Sequence, residues 1–215
     1  MQRHVAVSRI LDTGIVGILR GVPSEQTHHV VDALVAGGVT TLEVTADTPG
    51  AIDTIDRLTD AFDSDDVLIG VGTVLDAETA GAALRAGANF VVTPSFDRGV
   101  VETCNRHGVA VAPGVATPTE AVEASEAGAD LLKVFPAGAL GPDYVGAMGG
   151  PLGQLPLLPT GGVSLDNVGA FFTAGASGVG VGSSLVDSDA VDREDYAELT
   201  DRAAAFREAI ETARE

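Results

Sequence analysis

The sequence predicts an α/β protein, a (β/α)₈ TIM barrel with a short extra helix at its N-terminus, as one domain over residues 1–215. Three observations predict it. An alanine–glycine pair recurs at Ala36-Gly37-Gly38, Ala86-Gly87-Ala88, Ala127-Gly128-Ala129 and Ala174-Gly175-Ala176, with His107-Gly108-Val109 as a looser fifth copy. Each copy follows an amphipathic stretch and precedes a short apolar run, as happens where a glycine ends a helix in the left-handed conformation and the chain re-enters a strand. Between these joints lie eight strand–helix units, and polar residues gather at the C-terminal ends of the strands, where barrel enzymes keep their chemistry.

The extra helix covers Arg3 to Leu11 and would close the barrel bottom. The first units pair strand Ile15 to Arg20 with helix Ser24 to Ala36, Thr41 to Thr45 with Pro49 to Phe62, Leu68 to Val74 with Ala77 to Ala86, and Phe90 to Pro94 with Asp97 to His107. The later units pair Val109 to Pro113 with Pro118 to Ala127, Leu131 to Pro136 with Pro142 to Met148, Leu157 to Thr160 with Leu165 to Ala174, and Gly178 to Ser183 with Asp192 to Thr212. Capping residues or first-turn prolines mark helix starts at Ser24, Thr48-Pro49, Asp76, Thr117-Pro118 and Ser164. Side chains alternate along a strand, so Leu131, Lys133 and Phe135 share one face, opposite Leu132 and Val134. Thr41, Glu43 and Thr45 likewise lie opposite Leu42 and Val44. With the polar face toward the barrel axis and the apolar face toward the helices, Glu43 and Lys133 enter one lumen.

Composition narrows the function classes. With 45% hydrophobic residues, 27 glycines and 4% aromatics, the chain suits one aliphatic core rather than two domains. A formal net charge of −19 argues against nucleic acid or an anionic membrane as partner. All but one of the 12 basic residues are arginine, and dense acidity with almost no lysine resembles adaptation to high salt, an ordinary acidic enzyme being the alternative. Cys104 is the single cysteine, read as a packing residue, so no intrachain disulfide or cysteine-cluster metal site is possible and a reducing cytoplasm is the expected compartment. The start, Met1-Gln2-Arg3-His4-Val5, carries no apolar leader segment. Tyr144 to Leu165 is long and uncharged but broken by Pro151, Pro156 and Pro159, so no membrane span is expected. His4, His28, His29 and His107 fall away from strand ends, so neither a metal nor another cofactor is expected.

The chemistry centres on Leu131-Leu132-Lys133-Val134-Phe135-Pro136, which holds the only lysine. Burial disfavours the charged ammonium and lowers its pKa, which makes an amine nucleophilic near neutral pH; an arginine cannot do this. The alternatives are a lysine that snorkels to water or one that binds a phosphate or carboxylate. Glu43 in the same lumen is either an ion-pair partner or the proton shuttle of a Schiff-base lysine. Thr160-Gly161-Gly162-Val163-Ser164 and Gly180-Val181-Gly182-Ser183-Ser184 end the last two strands. Glycines there either let backbone N–H groups approach a phosphate or serve tight packing. Arg20 ends the first strand, its guanidinium suited to a substrate carboxylate unless it forms a surface salt bridge.

Taken together, these residues resemble the 2-keto-3-deoxy-6-phosphogluconate aldolase family, whose members also include 4-hydroxy-2-oxoglutarate aldolases. The resemblance runs from Gly17-Ile18-Leu19-Arg20 to Val181-Gly182-Ser183. Its markers are Ala36-Gly37-Gly38-Val39 leading to Leu42-Glu43-Val44-Thr45, Gly70-Val71-Gly72-Thr73-Val74, Leu132-Lys133-Val134-Phe135-Pro136-Ala137 and Pro159-Thr160-Gly161-Gly162-Val163. It implies Lys133 as the Schiff-base lysine, Glu43 as general acid/base, and Thr73 and Arg20 near the keto-acid end. Pro94, Thr160, Gly161, Gly162, Gly182 and Ser183 would form the rest of the pocket and the phosphate site, joined by Phe135, which shares the face of Lys133. The implied reaction is a metal-free class I cleavage of 2-keto-3-deoxy-6-phosphogluconate to pyruvate and glyceraldehyde 3-phosphate, in an Entner-Doudoroff-type pathway, by a homotrimer. The near alternative is the same chemistry on the C4 epimer, the galactonate, or on 4-hydroxy-2-oxoglutarate; the distant one is a phosphate-binding barrel isomerase or synthase. One departure stands out. Some family members have an arginine two residues beyond Glu43-Val44-Thr45, where this chain has Asp47, so Arg20 holds the anion alone or the preferred substrate differs.

Overall fold

The computed structural model describes residues 3–215; Met1 and Gln2, where the stretch read for a leader begins, lie outside the described residues. Strand and helix alternate, apart from one strand pair and two helix pairs that follow one another directly. α1 (Arg3–Thr13) leads into β1 (Ile15–Leu19), α2 (Thr27–Ala36), β2 (Thr41–Thr45), α3 (Ala51–Ala61), β3 (Leu68–Gly72), α4 (Ala77–Arg85), β4 (Phe90–Val92) and α5 (Arg98–His107). β5 (Ala110–Ala112) and β6 (Gly114–Val115) follow, then α6 (Pro118–Glu126), β7 (Leu132–Val134), α7 (Ala137–Leu140) and α8 (Pro142–Gly149). Last come β8 (Leu157–Pro159), α9 (Val168–Thr173), β9 (Val179–Val181), α10 (Ser188–Asp192) and α11 (Tyr196–Arg214).

All strand pairings are parallel, in a six-stranded sheet ordered β5-β4-β3-β2-β1-β9 and a three-stranded sheet ordered β6-β7-β8. Pro113 separates β5 from β6 because it has no N–H to give to a ladder. The pairing changes partner there: β5 lies on β4, whereas Gly114 of β6 lies opposite Lys133 of β7. At the other end of the smaller sheet, Thr160 forms a parallel bridge with Gly180, and the Ser177 N–H donates to Leu157 O at 2.9 Å. The fold is thus α/β, with parallel strands in curled sheets.

The strand faces divide as alternation requires. Leu42, Val44, Ile69, Val71, Leu132 and Val134 pack outward into the large core shared with the helices. Val16, Leu68, Phe90, Ala110, Leu131 and Leu158 form a separate inner cluster, which Ile10 of α1 covers at 2% exposure. Each such side chain stabilises the fold by roughly 2 kcal/mol through burial. Gly70 leaves space for the Phe90 ring, which would otherwise lie about one bond-length too close to a methyl group. Cys104 is fully buried in α5, and burial pushes its thiol up to about 12, as befits a packing residue.

Helix ends test the local signals. Gly38, Gly87, Gly108, Gly128 and Gly175 are all left-handed after their helices, the role read from the repeat. Asp76 accepts from the Thr79 N–H at 2.7 Å, and Thr117 with Glu120 forms a capping box ahead of Pro118. Three expected caps are corrected. α2 starts after Gln26, and Ser24 Oγ accepts from Arg57 instead. α3 starts after the left-handed Gly50, leaving the Thr48 hydroxyl to accept from the Gly21 N–H. α9 starts after Asn167, whose carbonyl Oδ1 takes the Ser164 N–H at 2.9 Å. Among the described residues no helix is long and apolar enough to cross a membrane, and no group of His, Cys, Asp or Glu is placed to hold a metal.

Candidate active site

Lys133 occupies the middle of β7, between Gly114 of β6 and Leu158 of β8, and is 3% exposed. Its inward direction follows from Leu132 and Val134 being in the outer core. The Nζ atom lies 5.2 Å from the centroid of the Phe135 ring, close enough for a cation–π contact when charged. Glu43 faces the same interior from β2 and is 2% exposed. Its neighbour across the ladder is β3, where Gly72 makes room: a β-carbon there would stand 2.6 Å from the Glu43 carboxyl carbon.

Burial decides the electrostatics of both groups. It pushes the Glu43 carboxyl above its ordinary range, against the opposing pull of the Lys133 and Arg20 charges. It pushes Lys133 below the usual lysine value, opposed by Glu43 and assisted by Arg20. Glu43 Oε1 has no hydrogen-bond partner, and no ion pair among the described residues joins it to Lys133. Burial thus outweighs the mutual attraction in both groups, and each is shifted toward its neutral form.

A pocket of about 300 Å³ opens above Lys133. Its walls include Arg20, Phe135, Thr160, Gly161–Gly162 and Gly182–Ser183, which the sequence had singled out. Gly161 and Gly162 both have left-handed backbones, φ 84° and 81°, which a side chain would strain. Gly161 also lies beneath Phe135, where a β-carbon would approach the ring to 2.9 Å. At the opposite rim, Arg20 Nη1 donates to Asp47 Oδ2 at 2.5 Å and Nη2 donates to Thr73 Oγ1 at 2.9 Å. The surface salt bridge considered for Arg20 therefore exists, and the same side chain lines the pocket. Thr73 itself holds a left-handed backbone, φ 57°, unusual for a β-branched residue.

Eight of the expected residues meet on this wall; the other three stand behind it. Glu43 lies deeper, Thr73 reaches the pocket through Arg20, and Pro94 packs its carbonyl against Gly114 beside β7. Ile18, Val163, Ser184, Val186 and Ser188 also line the pocket; Val163 and Ser184 lie in the two glycine-rich stretches, whereas Ile18, Val186 and Ser188 were not anticipated. Ile18 was findable, because it lies two residues before Arg20 on the same strand face. Val186 and Ser188 come with α10, too short to leave a helical period in the sequence.

The family model described as KDPG and KHG aldolase matches residues 7–202. The chain is 34% identical over 198 residues to a 2-dehydro-3-deoxy-6-phosphogalactonate aldolase of Escherichia coli K12, covering 92% of this chain and 96% of that protein. It is 37% identical over 169 residues to a 2-dehydro-3-deoxy-phosphogluconate aldolase of Treponema pallidum, covering 78% and 80% respectively. Among solved structures, a KDPG aldolase from Legionella pneumophila, with pyruvate captured as a covalent carbinolamine intermediate, superposes with a TM-score of 0.86 at 29% identity, over 93% of this chain and 97% of that one. A buried lysine and carboxyl under a glycine-walled pocket, in a chain matched along nearly its whole length, place this protein in the KDPG and KHG aldolase family.

Proposed function

We propose that this aldolase works by a Schiff base on Lys133, cleaving 2-keto-3-deoxy-6-phosphogluconate to pyruvate and glyceraldehyde 3-phosphate. The observation that carries the reading is the chain's one lysine, 3% exposed, facing the pocket with a lowered pKa and no ion-pair partner among the described residues. Neutral Lys133 attacks the C2 ketone, and Glu43 moves protons as the carbinolamine loses water. The iminium then withdraws electrons while Glu43 takes the C4 hydroxyl proton and the C3–C4 bond breaks. The aldehyde leaves, Glu43 returns its proton to the enamine carbon, and water releases pyruvate from the imine. Neither metal nor cofactor enters these steps. The glycine-rich ends of β8 and β9 take the phosphate, and Arg20 with Thr73 takes the carboxylate end.

The curled sheets are read here as a closed (β/α)₈ barrel in a single domain over residues 1–215, β5 and β6 counting as one interrupted strand. The Thr160–Gly180 bridge and the continuity through Pro113 support closure. Family membership supports a homotrimer, the acidic surface supports a high-salt habitat, and the lone buried thiol supports a cytoplasmic setting. A second substrate, the C4-epimeric galactonate, is favoured by the Escherichia coli relative named for it.

Borohydride reduction with pyruvate in multimolar salt, followed by peptide mass spectrometry, tests the mechanism. A pyruvate-derived adduct on Lys133 is expected, undiminished by a chelator. Folded protein that yields none would overturn the assignment. Turnover of the two C4 epimers then decides the substrate.

A further inference from the structure

The two cations lining the pocket are in different situations. Lys133 is buried and has no ion-pair partner among the described residues, whereas Arg20 is engaged at both of its terminal nitrogens, Nη1 to Asp47 at 2.5 Å and Nη2 to Thr73 at 2.9 Å. A guanidinium grips a carboxylate best by presenting two parallel N–H groups to its two oxygens. Here that fork is divided between two residues from successive strand ends. One of those partners is itself a carboxylate, the same chemical group an α-keto acid presents.

We propose that Asp47 competes with the substrate's carboxylate for Arg20 and so sets how tightly the site holds the keto-acid end of its substrate. The inference rests on the Schiff-base reading of Lys133. Asp47 holds the guanidinium in place in the free enzyme and offsets its charge, so an incoming carboxylate meets a partly neutralised partner. A short keto acid is held at this end, whereas a substrate whose phosphate engages the glycine-walled end carries additional binding energy. The competition weakens both by the same factor, so it leaves their ratio unchanged and is read most plainly with pyruvate, which has no second anchor. The pair is half exposed, with side chains 55% and 49% accessible, so its strength falls as salt rises.

The groups that face Arg20 are Asp47, Thr73, Glu43 and Lys133. Arg20 lowers the pKa of both buried groups, so neutralising Asp47 exposes them to more of its charge and moves the pH profile of imine formation toward acid.

The test compares wild type with Asp47→Asn, which keeps an acceptor but removes the charge, and with Asp47→Glu. Borohydride trapping is titrated with pyruvate over the salt range in which circular dichroism shows each protein folded. The pyruvate concentration for half-maximal trapping falls on the order of fivefold in Asp47→Asn, the size expected of an exposed ion pair. The gap narrows toward multimolar salt, the pH midpoint shifts to acid, and Asp47→Glu behaves as wild type. Half-saturation that is unchanged, or higher, in Asp47→Asn while both proteins form the adduct overturns this proposal alone. Absence of adduct in every variant overturns it together with the reading on which it rests.

Discussion

The inner faces of the same strands are apolar at one end and ionisable at the other. Leu131 belongs to the inner apolar cluster, and Lys133 is two residues further along the chain. Leu158 gives way to Thr160, and Val16 to Ile18 and then to Arg20. At the N-terminal end Ile10 covers the apolar cluster, in which Thr41 beside Leu68 is a buried polar exception that carries no charge. At the C-terminal end Glu43 Oε1 has no hydrogen-bond partner among the described residues, and Lys133 is shifted toward its neutral form. A strand rises about 3.3 Å per residue, so the change from one regime to the other takes about 7 Å. The close-packed end stabilises the fold, so the charged end can keep two groups in states that cost stability and that suit the proposed reaction.

Substituting the amine should have the largest effect. Lys133→Arg keeps a cation but cannot form an imine, so turnover should fall on the order of 10⁴-fold or more, with no borohydride adduct. Residual activity near wild type would mean that Lys133 serves only as a charge, and the contrast between the two ends would lose its chemical meaning. Glu43→Gln should slow turnover roughly 10³-fold, since proton transfer is impaired while the nucleophile remains. Slow accumulation of the Lys133–pyruvate adduct in that variant, measured by mass spectrometry over time, would separate its role from that of the lysine.

The packed end should answer in the opposite way. Phe90→Ala removes the largest side chain of the inner cluster and leaves a cavity over Gly70, where no side chain can fill in. Unfolding in denaturant at fixed salt should show a loss of about 3–5 kcal/mol. Pyruvate trapping per folded molecule should stay near wild type. A large fall in trapping with little loss of stability would show that the two ends are not separable.

Much of this was legible from residues two apart. Alternation fixed the inward direction of Glu43 and Lys133 because Leu42, Val44, Leu132 and Val134 could only belong to the apolar side. The left-handed glycines marked where helices stop, since that backbone excludes other residues at low cost. Helix starts were less legible: Ser24 and Thr48 are good capping types, but Arg57 and Gly21 engage their hydroxyls instead, and at Ser164 the local Asn167 side chain takes the backbone N–H. The Arg20–Asp47 contact was hidden because it joins successive strand ends across a register that a single chain does not display. α10 was missed because five residues hold little more than one turn.

The smallest effect is a slope rather than a loss, and it probes whether Glu43 is held at a cost. Its folded pKa is raised by burial above that of the unfolded chain, so the folded state binds more protons between the two values. The associated stability is complete below the ordinary carboxylate range and is lost as pH rises through the raised folded value. Glu43→Gln has no such proton to lose. The difference in unfolding free energy between variant and wild type should therefore drift in the variant's favour from acid toward neutral pH, measured by denaturant titration at constant high salt. Lys133 adds the mirror image: its lowered folded pKa contributes stability above the ordinary lysine range that is lost as pH falls through the lowered value. That second drift is present in both proteins and largely cancels in the comparison, apart from the influence of the Glu43 charge on the lysine. A flat difference across the acid-to-neutral window would mean that Glu43 ionises at its ordinary pKa, and the carboxyl would then lack the high affinity for a proton that its role as acid requires.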